Sequence, residues 1–260
     1  MSLVFGNGVF GPGGGDLSFG PVPERVWYLE RWPRRMRAVL GGEVVLDSRR
    51  GQALYRTGTP APQFWFPLAD LRGDLLVAAD QGDDGGRRWS VVVDGRSAPE
   101  CVLELVTSDP AGPPLDDHVT IDYGAMDRWF EEDDPVYARP RDPYHRVDVR
   151  NSSQHVVVRH HDVVVAESHR PKLLFETGLP VRYYLPFDDV RIGLLERSET
   201  VSECPYKGDG QHWHLVVGGQ RVPDAAWSLP HPLPEATTAI EHVCFYDAKV
   251  RVEVDGVPLR

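Results

Sequence analysis

Hydrophobic positions in this chain fall in short runs rich in Val, Tyr, Phe and Trp, separated by polar turn residues. Runs of that length and composition predict β-strands. His155 to Arg159, then His160-His161-Asp162, then Val163 to Val165 reads as a hairpin. Met36 to Leu40, Gly41-Gly42 and Glu43 to Leu46 repeat the pattern, and Gly-Gly suits a tight hairpin turn. Further strands are expected at Phe64–Phe66, Leu75–Ala78, Trp89–Val93, Tyr183–Leu185, Ile192–Glu196, His214–Val217 and Val243–Tyr246. Turn signals recur roughly every 8–12 residues, the spacing of a compact all-β sandwich or barrel. Helix is scarce. The best candidate is Pro234 to Ile240, with Pro and Glu in its first turn.

The chain repeats itself. Gly42-Glu43-Val44-Val45-Leu46-Asp47-Ser48 returns as Asp162-Val163-Val164-Val165-Ala166-Glu167-Ser168, an offset of 120. Leu54-Tyr55-Arg56-Thr57-Gly58 returns at the same offset as Leu174-Phe175-Glu176-Thr177-Gly178. Phe64-Trp65-Phe66-Pro67 matches Tyr183-Tyr184-Leu185-Pro186, Asp70-Leu71-Arg72 matches Asp189-Val190-Arg191, and Trp89 to Gly95 matches Trp213 to Gly219. Five matches in order, with small gaps, indicate a duplication. The expected organisation is a flexible Gly-rich tail (1–20), a first domain (21–140) and a second domain (141–260). The boundary falls in the Pro-rich stretch from Pro135 to Pro143. So short a linker leads to the expectation that the two domains pack together.

The second half carries Arg182-Tyr183-Tyr184-Leu185-Pro186, Cys204-Pro205-Tyr206-Lys207-Gly208, Asp224-Ala225-Ala226-Trp227-Ser228 and Val243-Cys244-Phe245-Tyr246. On these motifs it resembles the bacterial domain-of-unknown-function 427 family over nearly all of 145–260. The first half resembles it in eroded form. It keeps the hairpin, the aromatic-Pro strand and the acidic run after Trp129-Phe130, but Gln81 to Gly86 stands where the Cys-Pro-Tyr-Lys-Gly motif would be. The resemblance implies a β-tent-like fold, antiparallel sheets meeting at an angle with a pocket between them. The fold class expected is therefore mainly β, two tandem β-tent-like antiparallel domains with little helix. Related folds hold a structural zinc on paired Cys-x-x-Cys motifs. This chain has no Cys-x-x-Cys, which excludes a four-cysteine zinc site. The family also carries a nucleotidyltransferase label. Neither a Gly-Ser followed by an Asp-x-Asp strand nor a Walker-type loop is present to support it.

Cys204, Tyr206 and Lys207 form the sharpest candidate site. Lys207 would clamp an anionic ligand, aided by the backbone N–H groups of Gly208 and Gly210, or lower the pKa of Cys204. The alternative is a structural turn with Cys204 as a small buried hydrophobe. The chain has only three lysines, Lys172, Lys207 and Lys249, among 28 basic residues, so a lysine kept in a motif stands out. Tyr184, Tyr206, Trp213 and Trp227 are candidate pocket walls, with core packing as the alternative. His212 and His214 share a strand face and could begin a metal site, with Asp209 or His242 as the third ligand. His214 is also a candidate acid or base. No Gly-x-Ser-x-Gly elbow supports a Ser-His-Asp triad.

Composition narrows the class. No apolar run approaches the length of a membrane helix, and residues 1–20 lack the pattern of a signal peptide. Three cysteines do not make a disulfide framework. A net charge of −11 argues against a general nucleic-acid binder. A soluble cytoplasmic protein without cofactor or resident metal is the expectation. Its expected function is to bind a small polar or anionic molecule in the pocket of the second domain, with turnover of that molecule as the extension of this reading. A non-catalytic interaction module, and a thiol redox enzyme pairing Cys204 with Cys244 or Cys101, are the alternatives.

Overall fold

The computed structural model describes residues 26–56, 59, 61–82, 85–104 and 112–259. The expected Gly-rich tail lies outside these. The chain divides into two compact units, Met1–Asp142 and Pro143–Arg260.

In the first unit the strands are β1 (Trp27–Arg31), β2 (Met36–Leu40), β3 (Glu43–Ser48), β4 (Gln52–Arg56), β5 (Gln63–Pro67), β6 (Leu76–Ala78), β7 (Arg88–Val93), β8 (Arg96–Glu104), β9 (His118–Ile121), β10 (Arg128–Glu131) and β11 (Asp134–Pro135). In the second they are β12 (Val147–Asn151), β13 (Val156–His160), β14 (Val163–Ser168), β15 (Lys172–Glu176), β16 (Arg182–Pro186), β17 (Leu195–Cys204), β18 (Gly208–Val217), β19 (Gln220–Pro232), β20 (His242–Phe245), β21 (Arg251–Val254) and β22 (Val257–Pro258). Each unit has a seven-stranded sheet, β1-β4-β5-β9-β8-β7-β6 and β12-β15-β16-β20-β19-β18-β17, and a four-stranded sheet, β11-β10-β2-β3 and β14-β13-β21-β22. The protein is mainly β, as the sequence predicts. Among the described residues no helix is long and apolar enough to cross a membrane.

The two units match down to their irregularities. A register shift falls between Ala38 and Val39 in the first and between Val158 and Arg159 in the second. The Gly41-Gly42 turn has positive φ at both residues, 60° and 89°, as a type I′ hairpin turn requires. A buried serine closes the same corner twice. Ser48 Oγ donates to Asp70, and Ser168 Oγ donates to Asp189, each at 2.7 Å. Arg50 pairs with Asp70, and Arg170 with Asp189. These are short sequence repeats, Ser-x-Arg and a distant Asp, whose meaning is structural. Ser168→Ala is expected to lower the thermal midpoint by the equivalent of about 1–2 kcal/mol, because it strips a buried hydrogen bond. Ser48→Ala is expected to do the same in the other unit. Unchanged calorimetric transitions in both variants would contradict this.

Three local expectations need correction. Ile192–Leu194 is a 3-10 turn and the strand begins at Leu195. The helix candidate is a 3-10 helix, Pro234–Ala239, which buries Ala236 and Ala239. Leu75 likewise ends a 3-10 turn ahead of β6.

Inside each unit the core lies between its two sheets. In the second unit, Val156, Val158, Val165 and Val252 from the small sheet meet Leu185, Leu215, Ala226, Val243 and Phe245 from the large one. The opposite face of the large sheet is covered at one end by the 3-10 helix, where Leu174, Tyr184, Tyr206, Leu229 and Cys244 form a second cluster.

The units differ most in one hairpin. β17, β18 and β19 run 10, 10 and 13 residues. Their counterparts β6, β7 and β8 run 3, 6 and 9. The long hairpin belongs to the unit that keeps the Cys-Pro-Tyr-Lys-Gly motif.

Candidate functional site

Cys204 pairs with Gly208 at the tip of the β17–β18 hairpin, so Pro205-Tyr206-Lys207 is its turn. Gly208 has φ +91°, and a Cβ there would meet the His231 carbonyl oxygen at 2.6 Å. Only glycine lets β18 and β19 approach this closely. Lys207 folds back to a buried carboxylate, Glu176 at the end of β15, with which it makes a short ion pair. His145 Nε2 donates to the other oxygen of Glu176 at 3.0 Å, and the Tyr206 ring stacks on His145 at 4.1 Å. Desolvation acts to raise the Glu176 pKa, but the His145 hydrogen bond and the Lys207 charge outweigh it and hold the carboxyl below its ordinary value. The motif thus ties the hairpin tip to the edge of the sheet.

Tyr184 and Trp227 belong to the same sheet face. Trp227 Nε1 donates to the Tyr184 hydroxyl at 2.9 Å. Burial holds the Tyr184 phenol well above its ordinary pKa. Trp227 also packs on Tyr246 at 4.3 Å and lies under the Arg182 guanidinium. Cys204 packs on this cluster, and Cys244 lies within it. Complete burial pushes the Cys244 thiol up, so it is protonated and unreactive at neutral pH. Cys101 is buried in the other unit, with its thiol also raised by desolvation.

The two histidines do different work. His214 Nδ1 accepts the Asp224 backbone N–H at 3.0 Å, which fixes its proton on Nε2. It supports a bulge in β19 where Asp224 has φ +47°. His212 is buried beside Ser202 Oγ at 3.1 Å, and desolvation lowers its pKa. Of the third ligands considered, Asp209 lines a cleft and His242 Nδ1 donates to the Ile240 carbonyl. Among the described residues, the cluster with metal-ligand spacing lies elsewhere, at His155, Glu167 and His169.

Concave space lies in different places in the two units. In the first, a cavity of about 560 Å³ is lined from both sheets, by Phe64, Phe66, Cys101 and Ile121 on one side and Met36 and Trp129 on the other. At the counterpart position in the second unit only about 10 Å³ remains, room for about one water. Arg182 and Asp247, an ion pair at 3.1 Å, are among the residues lining it. The second unit instead has a cleft of about 780 Å³ on the long hairpin.

Trp213 forms one wall of that cleft, with Nε1 donating to Ser228 Oγ at 2.9 Å and its ring edge-on to Phe187. Ile192, Val201 and Ile240 are exposed apolar residues lining it. Arg197 is its cation. Gln211, 6% exposed, donates through Nε2 to the carbonyls of Ser198 and His212. Its oxygen then accepts Arg197 Nε at 2.8 Å. The guanidinium is held by one nitrogen, and among the described residues it has no carboxylate partner.

Of the sequence candidates, Trp213 lies in the cleft. Cys204, Tyr206, Lys207, Tyr184 and Trp227 gather on the opposite face of the sheet, and His214 stands at the bulge. Sequence reading missed Arg197, Gln211, Glu176 and His145. The duplication carried a signal for one of them, since Arg56 in the first copy becomes Glu176 in the second, beside a lysine with no counterpart.

Fold and site together define a tandem, mainly β protein whose second copy has an elongated hairpin with a cleft along it. The chain belongs to the family described as a domain of unknown function (DUF427), which it matches over residues 28–132 and 148–256. No curated protein matches it.

Proposed function

We propose that the second unit binds a small anionic molecule with an apolar body in the cleft along β17, β18 and β19. The observation that carries this reading is Arg197, fixed by the buried amide of Gln211 with its two terminal nitrogens unpaired among the described residues. An oriented guanidinium suits a carboxylate, sulfonate or phosphate group, which it can hold with two parallel hydrogen bonds. Trp213, Phe187 and Val201 supply apolar walls for the rest of the molecule. Lys207, already matched by Glu176, acts in this reading as the anchor of the hairpin tip.

The test is a fluorescence titration with 8-anilinonaphthalene-1-sulfonate, an anionic apolar probe. Arg197→Ala is expected to weaken binding about 10- to 100-fold, the loss of a charged hydrogen bond. Arg197→Lys, which keeps the charge and loses the fork, should fall between. Equal affinity in Arg197→Ala and the parent protein would overturn the reading.

The exposure of Ile192, Val201 and Ile240 favours a second reading, in which the cleft seats an apolar protein segment. In that case serine substitutions at these three positions abolish dye binding while Arg197→Ala leaves it intact.

A further inference from the structure

We propose that His155, Glu167 and His169 form a binding site for one divalent transition-metal cation of the zinc class, on the small sheet of the second unit. One ligand atom from each residue lies within 4.8 Å of the others. The site follows from register. Val156 pairs with Ser168 and Val157 with Glu167, which sets His155 opposite His169 at the open end of the β13–β14 pair. Glu167 and His169, two residues apart, fall on one face of the sheet. The two imidazole rings lie 4.1 Å apart and nearly parallel, at 7°. His155 Nε2 donates to Glu167 at 2.8 Å.

The duplication supplies an internal comparison. The counterparts in the first unit are Arg35, Asp47 and Arg49. Arg35 Nε donates to Asp47 at 2.6 Å and holds that carboxyl below its ordinary pKa, while Arg49 reaches Glu132 at 3.5 Å. The first copy therefore carries its own fixed cations around the carboxylate. The second copy keeps the carboxylate and replaces both guanidiniums with imidazoles, which ligate a metal where arginine does not. Among the described residues, His155 is the partner of Glu167. A bound cation restores the positive charge that the arginines supply in the first copy. Two nitrogens and one oxygen are a ligand set that zinc accepts, with water completing the shell. The residues are half-buried or exposed, so the cation enters and leaves directly from solvent.

The test uses the full chain without an affinity tag, titrated calorimetrically with zinc chloride. We expect one zinc per chain. His169→Ala and Glu167→Ala should each weaken binding by at least about tenfold, whereas His160→Ala/His161→Ala, at the far end of the same hairpin, leaves it unchanged. Cobalt, as a coloured substitute, should give visible absorption bands that vanish in His155→Ala/His169→Ala. All five positions are at the surface of the hairpin, and unchanged circular dichroism melts of the metal-free variants show that folding is not the variable. No zinc binding up to about 1 mM, or stoichiometric binding that survives His155→Ala/His169→Ala, would overturn the proposal. The result is independent of the cleft, which uses none of these residues.

Discussion

Glu176→Ala is expected to destabilise the second unit by about 3 kcal/mol, measured as a shift in its unfolding transition. The side chain is 6% exposed and accepts from both Lys207 and His145. Removing it leaves the Lys207 ammonium, 18% exposed, without a counter-charge. Breaking a buried pair from one side costs about 3–5 kcal/mol, and the residual exposure of Lys207 places this case at the lower end. Lys207→Ala should cost less, because His145 still donates to the carboxylate. The pH dependence follows from the depressed Glu176 pKa. A carboxyl whose folded pKa lies below its unfolded value stabilises the fold above the unfolded value, about 4.3. That contribution is lost as pH falls through the folded value. Glu176→Gln should therefore flatten the acid limb of stability against pH. A cost below about 1 kcal/mol for Glu176→Ala, or an unaltered acid limb in Glu176→Gln, would show that the triad does not hold the hairpin.

Gly208→Ala should be at least as damaging, and its cause can be isolated. Its φ of +91° and a Cβ only 2.6 Å from the His231 carbonyl oxygen act together. Gly219, φ +80°, has nothing within 4 Å of its Cβ position. Gly219→Ala therefore reports the backbone penalty alone, about 1–2 kcal/mol. Gly208→Ala adds a collision with backbone that cannot rotate away, and its total should exceed that of Gly219→Ala by at least about 1 kcal/mol. Strand β18 should also separate from β19 at this end, seen as faster amide exchange from Gly208 to Gln211. Because Gln211 orients Arg197, dye binding in the cleft should weaken in the same variant. Equal costs for the two substitutions would mean that the close approach at Gly208 is dispensable.

The acidic run Glu131 to Asp134, which follows Trp129-Phe130, illustrates how far a charge pattern reaches. Its first three members each meet an arginine: Glu131 with Arg34, Glu132 with Arg49 and Asp133 with Arg37. Exposed pairs of this kind contribute about 0–1 kcal/mol each, so the run remains a surface feature and not a site.

Strand composition, the Gly41-Gly42 turn and the internal duplication were legible along the chain because they depend on local chemistry and on residue spacing. The β class and the recurrence of Ser48 as Ser168 and of Asp70 as Asp189 follow from such information, whereas the hydrogen bond that joins each serine to its aspartate, 21 or 22 residues on, is seen only in the fold. The partners of the Cys-Pro-Tyr-Lys-Gly motif do not follow from such information. Glu176 lies 31 residues from both His145 and Lys207, and is brought to them by the pairing of β12 with β15 and the fold of the long hairpin. The tertiary structure decided that Lys207 faces a carboxylate and that Trp213 and Trp227, so alike in sequence, serve opposite faces of one sheet. It also decided that Arg197, without a motif to mark it, lines the cleft with its Nε held by the buried amide of Gln211. Those outcomes depend on register across strands and on which long-range partner satisfies each buried charge, and neither is encoded by neighbours in the chain.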